Sequence, residues 1–142
     1  MPAQTAPAVL TFSAAAYAEM IGHAYSGYPL EACGLLVGSA AVVQRFVPCS
    51  NAAASARIYS IPPKELLRAE RDAEDDGLVI VGVFHSHTHS EPYPSPTDVA
   101  QAPDPEWHYV IVGLKREAPE TRAYRIVGPA MTDISDVPVV VG

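Results

Sequence analysis

The sequence predicts one mixed α/β domain over residues 1–142, in which helices flank a sheet built around a buried central strand. Two observations support this prediction. Segments with helical spacing alternate with short apolar segments of strand length, as they do in α/β and α+β domains. The run from Leu78 to Phe84 is almost wholly apolar, which is typical of a strand covered on both faces. With 142 residues, 49% of them hydrophobic, the chain is long enough to bury one core.

The first half of the chain contains start and stop signals for two helices. Ser13 is a favourable N-cap for the first helix, which Gly27 ends, and Pro62 begins the second, which Gly77 ends. The second helix has three residues that we expect to face the core, Leu66, Leu67 and Ala73. The other predicted elements are a strand at 9–12, strands at 34–37 and 42–47 joined by a turn at Gly38 and Ser39, and a loop at 50–57.

In the second half, strands are predicted on both sides of a proline-rich segment. Five of the 14 prolines fall between Pro92 and Pro105. We expect an ordered loop there, because strand-like segments flank it. The predicted elements are the buried strand at 78–84, a short helix from Ser95, and strands at 107–114, 123–127 and 137–141.

Composition excludes several functional classes. The chain has 9 Lys and Arg against 16 Asp and Glu, a formal net charge of −7, which argues against a nucleic-acid or anionic-membrane surface. Its longest apolar run is too short to cross a bilayer. The N-terminal MPAQTAPAVL lacks the basic and apolar regions of a signal peptide. Cys33 and Cys49 do not make a disulfide framework. We therefore expect a cytoplasmic protein.

Two histidines follow the predicted central strand. Side chains alternate along a strand, so His85 and His87 should share one face. Two imidazoles on one rigid face suit a divalent metal such as zinc, which needs a third protein ligand in a catalytic site. Asp98 is the natural third ligand, returned by the proline-rich loop, but His89 and Glu91 are alternatives on local geometry.

The segment Ser95-Pro96-Thr97-Asp98 has a second interpretation. Serine at the N-cap, proline at the next position and an acidic residue at N3 form a helix capping box. The pattern alone favours this structural role over a metal-binding one. The two roles are compatible, because a capped helix is also a rigid support for a ligand.

A zinc hydrolase also needs a base that takes a proton from water. The candidates are Glu31, Glu91 and Asp104. Glu31 stands out because it directly precedes an apolar strand, where burial would raise its pKa toward neutrality. Spacing alone favours the alternative, a solvated acid at the strand entry.

Taken together, these residues resemble the JAMM (MPN-plus) metalloprotease motif. The pattern is Glu31, then His85-x-His87, seven residues, Ser95, two residues and Asp98. Such a spacing of five positions is specific, and the resemblance extends from about Phe12 to Val127.

The resemblance implies a cytidine-deaminase-like fold, with a curved mixed sheet flanked by helices. It implies zinc on His85, His87 and Asp98, Glu31 as general base and proton shuttle, and Ser95 as a hydroxyl that helps to hold the oxyanion. His89 and Glu91 match no catalytic position of the family.

The chain is most similar to bacterial stand-alone members of this family. Deubiquitinating members usually have proline where this chain has Thr88. The resemblance implies hydrolysis after the C-terminal glycine of a small ubiquitin-like sulfur-carrier protein, with release of cysteine or a short extension. The alternatives are an isopeptidase for ubiquitin-like modifiers and a non-catalytic MPN scaffold. A zinc deaminase is disfavoured, because Cys33 and Cys49 are too far apart for its Cys-x-x-Cys pair. His108 is predicted in a packed strand, with lining of the tail groove as the alternative.

Overall fold

The computed structural model describes residues 9–142 and contains one eight-stranded mixed sheet with three α-helices. The helices are α1 (Ala14–Gly27), α2 (Pro63–Asp75) and α3 (Pro96–Ala100), and a 3-10 turn spans Met131–Asp133. The strands are β1 (Leu10–Phe12), β2 (Cys33–Ser39), β3 (Val42–Cys49), β4 (Val79–His87), β5 (His108–Gly113), β6 (Glu120–Ile126), β7 (Ile134–Val137) and β8 (Val139–Val141). Among residues 9–142, no helix is long and apolar enough to cross a membrane.

The sheet curls until its two edges meet. Its strand order is β7-β6-β5-β4-β2-β3-β1-β8, so β7 and β8 lie at opposite edges although only Pro138 separates them in sequence. The single strand predicted at 137–141 is therefore wrong, because proline has no N–H for a ladder and divides the segment. The backbone N–H of Leu10 donates to the carbonyl of Pro138 at 2.9 Å, which extends the pairing of β1 with β8 back to the junction with β7. The expected curved, mixed sheet is confirmed.

Strand β4 is central and packs on both faces. It pairs antiparallel with β2 and parallel with β5. Phe84 belongs to the core cluster under α1, whereas Val83 belongs to the cluster under α2. This confirms the predicted two-sided burial, except at the start of the strand, where Val79 is 57% exposed. The strand also continues beyond Phe84 to His87.

The predicted starts and ends of α1 and α2 are confirmed, but one residue of α2 that was predicted to face the core faces solvent. The Ser13 hydroxyl accepts from the N–H of Ala16 at 3.2 Å, as an N-cap does. Leu67, predicted to face the core, is 47% exposed. The inward stripe of α2 consists of Leu66, Ala69 and Ala73. Leu67 lies about 100° around the helix from Leu66, which turns it to solvent.

The β2–β3 hairpin turns two residues later than predicted. Strand β2 continues through Ser39, which pairs with Val42, so the turn lies at Ala40 and Ala41. Gly38 instead forms part of a register shift, where a Cβ atom would collide with the carbonyl oxygen of Val42. The glycine is required by this bulge rather than by the turn.

Candidate active site

Three predicted residues converge at the end of β4. His85 and His87 share one face, are 2% and 4% exposed, and their Nε2 atoms lie 3.0 Å apart. Asp98 Oδ2 lies 3.2 Å from His85 Nε2 and 3.3 Å from His87 Nε2. These three ligand atoms all lie within 4.8 Å of one another. We call this group the His-His-Asp cluster.

The capping box of α3 holds Asp98 in place. The N–H of Asp98 donates to the Ser95 hydroxyl at 3.1 Å, and the N–H of Ser95 donates to Asp98 Oδ2 at 2.9 Å. The loop before it is tied to the sheet, since the Tyr124 hydroxyl donates to the carbonyl of Pro92. The same Oδ2 atom thus takes part in the helix cap and faces both imidazoles. Asp98 therefore has the structural role predicted from the sequence and also belongs to the cluster.

Neighbouring groups fix both imidazole rings. His87 Nδ1 lies 2.7 Å from the carbonyl oxygen of Glu91. A carbonyl can only accept, so Nδ1 carries a proton and Nε2 presents its lone pair to the cluster when the ring is neutral. The His85 ring stacks on Tyr59, with centroids 4.3 Å apart and planes at 17°. Buried His85 Nδ1 has no hydrogen-bond partner within residues 9–142.

The electrostatics of the cluster suit a cation. Burial lowers the pKa of His85 more than Asp98 raises it, so this imidazole is neutral. Burial lowers the pKa of His87, but Asp98 and the Glu91 carbonyl raise it by more. Burial raises the pKa of Asp98, while its contacts with the two imidazoles lower it well below its usual range. Two imidazole nitrogens and one carboxylate oxygen are a donor set that fits a divalent metal, and metal binding would compete with protonation of His87.

Glu31 lies beside this cluster in a buried position. The pairing of Cys33 with His85 places Glu31 beyond His85, at the level of His87. The residue is 4% exposed, and its Oε1 atom has no hydrogen-bond partner within residues 9–142. Burial raises the pKa of Glu31 from 4.5 to about 7, opposed in part by His87. A carboxyl group in this state can both accept and return a proton near neutral pH.

The backbone around Glu31 is tightly held. Its N–H donates to the carbonyl of Ser55 at 2.8 Å, and Asn51 Nδ2 donates to its carbonyl at 3.0 Å. The N–H of Ala32 donates to the buried Ser86 hydroxyl at 2.8 Å. Alternation along β4 predicts that Ser86 lies on the face opposite the histidines, although not that it holds Ala32. Asn51 and Tyr59 could not be predicted, because they lie in a loop without periodicity.

Two residues that the sequence offers as alternatives, His89 for the third metal ligand and Glu91 for the ligand or the base, lie outside the His-His-Asp cluster. His89 is exposed, and its Nδ1 lies 2.9 Å from the Thr88 hydroxyl. Glu91 forms surface ion pairs with Lys115 and Arg116, at 3.1 and 2.8 Å, and these cations lower its pKa to about 2.

Asp104 and His108 are also separate from the cluster. Asp104 Oδ1 accepts from the N–H of Glu106 at 2.8 Å, in a local turn. His108 pairs with Gly82, which places it on the sheet face opposite His85 and His87. The packed-strand prediction for His108 is confirmed, and its position on the opposite face does not favour the alternative that it lines the tail groove.

The chain is similar in sequence to one family of proteins and to individual peptidases. The family described as prokaryotic homologs of the JAB domain matches residues 13–127. The chain is 41% identical over 117 residues to the CysO-cysteine peptidase of Mycobacterium tuberculosis, covering 80% of each chain. It is 38% identical over 109 residues to the desampylase of Haloferax volcanii, covering 72% of this chain and 78% of that protein.

Solved structures agree on the fold. A protein from Desulfitobacterium hafniense superposes with a TM-score of 0.81 at 31% identity, covering 93% of this chain and 92% of that one. A structure described as a JAMM metalloprotease-like zinc site in the proteasome and signalosome gives a TM-score of 0.59 at 19% identity, covering 94% and 98%, and shows the shared fold alone. On the match over residues 13–127 and the 41% identity, the chain belongs to the family of prokaryotic JAB-domain homologues and is a hydrolase of the JAMM type.

Proposed function

We propose that this protein is a zinc-dependent peptidase that cuts the amide bond after the C-terminal glycine of a small ubiquitin-like sulfur-carrier protein, releasing cysteine or a short extension. The observation that supports the chemistry is the convergence of His85, His87 and Asp98 within 4.8 Å beside the buried carboxyl of Glu31. The similarity to a protein named CysO-cysteine peptidase, at 41% identity, supports the substrate.

Zinc would be held by His85 Nε2, His87 Nε2 and Asp98 Oδ2. Three protein ligands with one position left open are the arrangement of catalytic rather than structural zinc. When bound, zinc supplies Lewis-acid activation of water and polarises the substrate carbonyl. The protein's contribution is a set of donors that the Ser95 capping box and the Glu91 carbonyl already orient.

Glu31 is the proposed proton carrier. Its pKa of about 7 allows the carboxylate to accept a proton during attack and to return it to the leaving amine. Its burial and held backbone keep the carboxyl group in one place during both transfers.

Ser95 is the proposed oxyanion donor. Its hydroxyl oxygen accepts from the N–H of Asp98, which leaves the hydroxyl proton free to donate toward the substrate. Stabilisation of this kind typically contributes about 3–4 kcal/mol to catalysis.

A second candidate function is removal of a ubiquitin-like modifier from a lysine of another protein. The 38% identity to a protein named desampylase favours it. The two functions share the carrier tail and the chemistry, and they differ only in the leaving amine.

A direct competition would test the proposal. The zinc-loaded protein is incubated with a carrier ending in Gly-Gly-Cys and with the same carrier joined to a lysine, and products are followed by mass spectrometry. We expect faster release of cysteine, and Glu31→Gln should abolish both reactions while retaining zinc. Faster cleavage of the lysine conjugate would replace the first function by the second. No cleavage of either substrate would refute the proposed substrate class.

A further inference from the structure

A cavity of about 250 Å³ opens directly beside the His-His-Asp cluster. Leu35 and Val83 form its buried floor, and Leu66 and Trp107 contribute to its walls. Asp98 is part of its rim. We call this cavity the Leu35 pocket; it is contiguous with the proposed catalytic site.

Strand register fixes where the pocket lies relative to the reacting groups. On β2 and β4, the pair Cys33–His85 is followed two residues further by the pair Leu35–Val83. Residues two apart on a strand share a face and are separated by about 7 Å. Glu31 lies on the other side of His85, beyond Cys33. The pocket is therefore within one side chain's length of the cluster, on the side away from Glu31.

The lining determines which side chain the pocket accepts. Most of the lining side chains are apolar, and none is cationic. Asp98 is its only acidic group, and its Oδ2 is engaged with two imidazoles. An acidic side chain would lose its hydration here without gaining a cationic side chain as partner, whereas an apolar one would be buried favourably. An apolar cavity of about 150 Å³ holds benzene, so this pocket is large enough for any aliphatic side chain.

We propose that the Leu35 pocket binds the side chain of the residue released by hydrolysis and selects an uncharged, apolar one. This inference rests on the proposed function. The carrier tail that the proposed function implies ends in Gly-Gly, and these two residues have no side chain to place in a pocket next to the cluster. The released residue is the nearest one that can fill it, and an aliphatic or thiol side chain matches the lining.

Binding can be measured without turnover, because Trp107 is the only tryptophan of the chain and lines the pocket. The zinc-loaded Glu31→Gln variant is titrated with acetylated Gly-Gly-Leu and Gly-Gly-Asp peptides while Trp107 emission is recorded. We expect a saturable change with the leucine peptide and at least tenfold weaker binding of the aspartate peptide. Equal responses, or none with leucine, would overturn the proposal.

A charge placed in the pocket should reverse the preference. Gln101→Lys adds a cation at the exposed rim, and Leu66→Lys adds one to the wall. The matched control is Leu67→Lys, one residue along α2, exposed and outside the pocket. With carriers ending in Gly-Gly-Leu and Gly-Gly-Asp, we expect the kcat/KM ratio of leucine to aspartate to fall about 10- to 100-fold in the pocket variants. It should stay unchanged in Leu67→Lys.

The outcomes separate this inference from the proposed function. If the cleavage rate does not depend on the released residue, or depends instead on the residue before Gly-Gly, the pocket assignment is wrong and the peptidase proposal stands. If no carrier is cut, the peptidase proposal fails, and the Trp107 titration still decides whether the pocket prefers an apolar side chain. Because Gln101 is exposed, its variant tests the idea even if Leu66→Lys does not fold.

Discussion

Replacing Glu31 by glutamine should abolish activity and yet stabilise the metal-free protein above neutral pH. Glu31 is 4% exposed, and its Oε1 atom has no hydrogen-bond partner within residues 9–142. Burial therefore raises the pKa of Glu31 from 4.5 to about 7. Glutamine has the same shape but no charge to desolvate, so the variant avoids the cost that wild type incurs on ionisation.

The sign and size of the effect follow from linkage. The pKa of Glu31 is higher in the folded state than in the unfolded state. The contribution of this group to the free energy of unfolding is therefore fully present below pH 4.5 and is lost as pH rises through 7. A shift from 4.5 to about 7 corresponds to about 3 kcal/mol, at ~1.4 kcal/mol per unit. Allowing about 1 kcal/mol for burying the amide, Glu31→Gln should be the more stable protein by about 2 kcal/mol at pH 8.

Urea unfolding of the metal-free proteins between pH 4 and 8.5 measures this difference. Glu65→Gln is the control, because hydrogen bonds from Ser50 lower the pKa of Glu65. Its stabilisation is present above the unfolded pKa and is lost as pH falls, so Glu65→Gln should be the less stable protein at pH 8. If the stability of Glu31→Gln runs parallel to wild type across this range, Glu31 is not a buried, unpartnered carboxyl group and its assignment as proton carrier fails.

Three further experiments test the site and the fold. His87→Ala should lose most bound zinc by elemental analysis, whereas His89→Ala should keep it; full retention in His87→Ala would show that the ion is held elsewhere. Ser95→Ala should lower kcat about 10²–10³-fold and also lower the free energy of unfolding by about 1 kcal/mol in urea, because it removes both the proposed oxyanion donor and the N-cap of α3. In urea, Leu66→Ala should lower the free energy of unfolding by about 2–3 kcal/mol, and Leu67→Ala by less than about 0.5 kcal/mol. Equal losses would contradict the observation that Leu66, and not Leu67, faces the core.

Local signals in the sequence predicted most of the elements. The Ser13 cap acts within a few residues, and Gly77 ends α2 with a φ of +72°. Such features are visible in sequence because their partners are close along the chain. Alternation along β4 likewise predicted correctly that His85 and His87 share a face.

The failures concern information that is not local. Leu67 and Leu66 are adjacent leucines, and only the packing of α2 on the sheet decides which one is buried. Pro138 divides the last segment between two sheet edges, which depends on the closure of the whole sheet. Tyr59 stacks on His85 from a loop that no periodic pattern connects to β4. The spacing and the family resemblance together predicted which residues form the His-His-Asp cluster, while the surroundings that orient these residues could be seen only in the fold.

The role of the Ser95–Asp98 segment shows why a structural and a functional interpretation need not compete. A carboxylate that binds a cation loses rotamer freedom, which costs free energy at the moment of binding. In this protein the capping box has already restricted Asp98, because its Oδ2 accepts the N–H of Ser95 while facing His85 and His87. The helix cap would thus order the proposed ligand before a metal ion binds. Ser95→Ala removes the hydroxyl that caps α3 but leaves the backbone N–H of residue 95 in place. The variant should therefore retain zinc. Weaker zinc binding would show that the contact of the Ser95 hydroxyl with the Asp98 N–H, rather than the N–H of Ser95, orders the carboxylate.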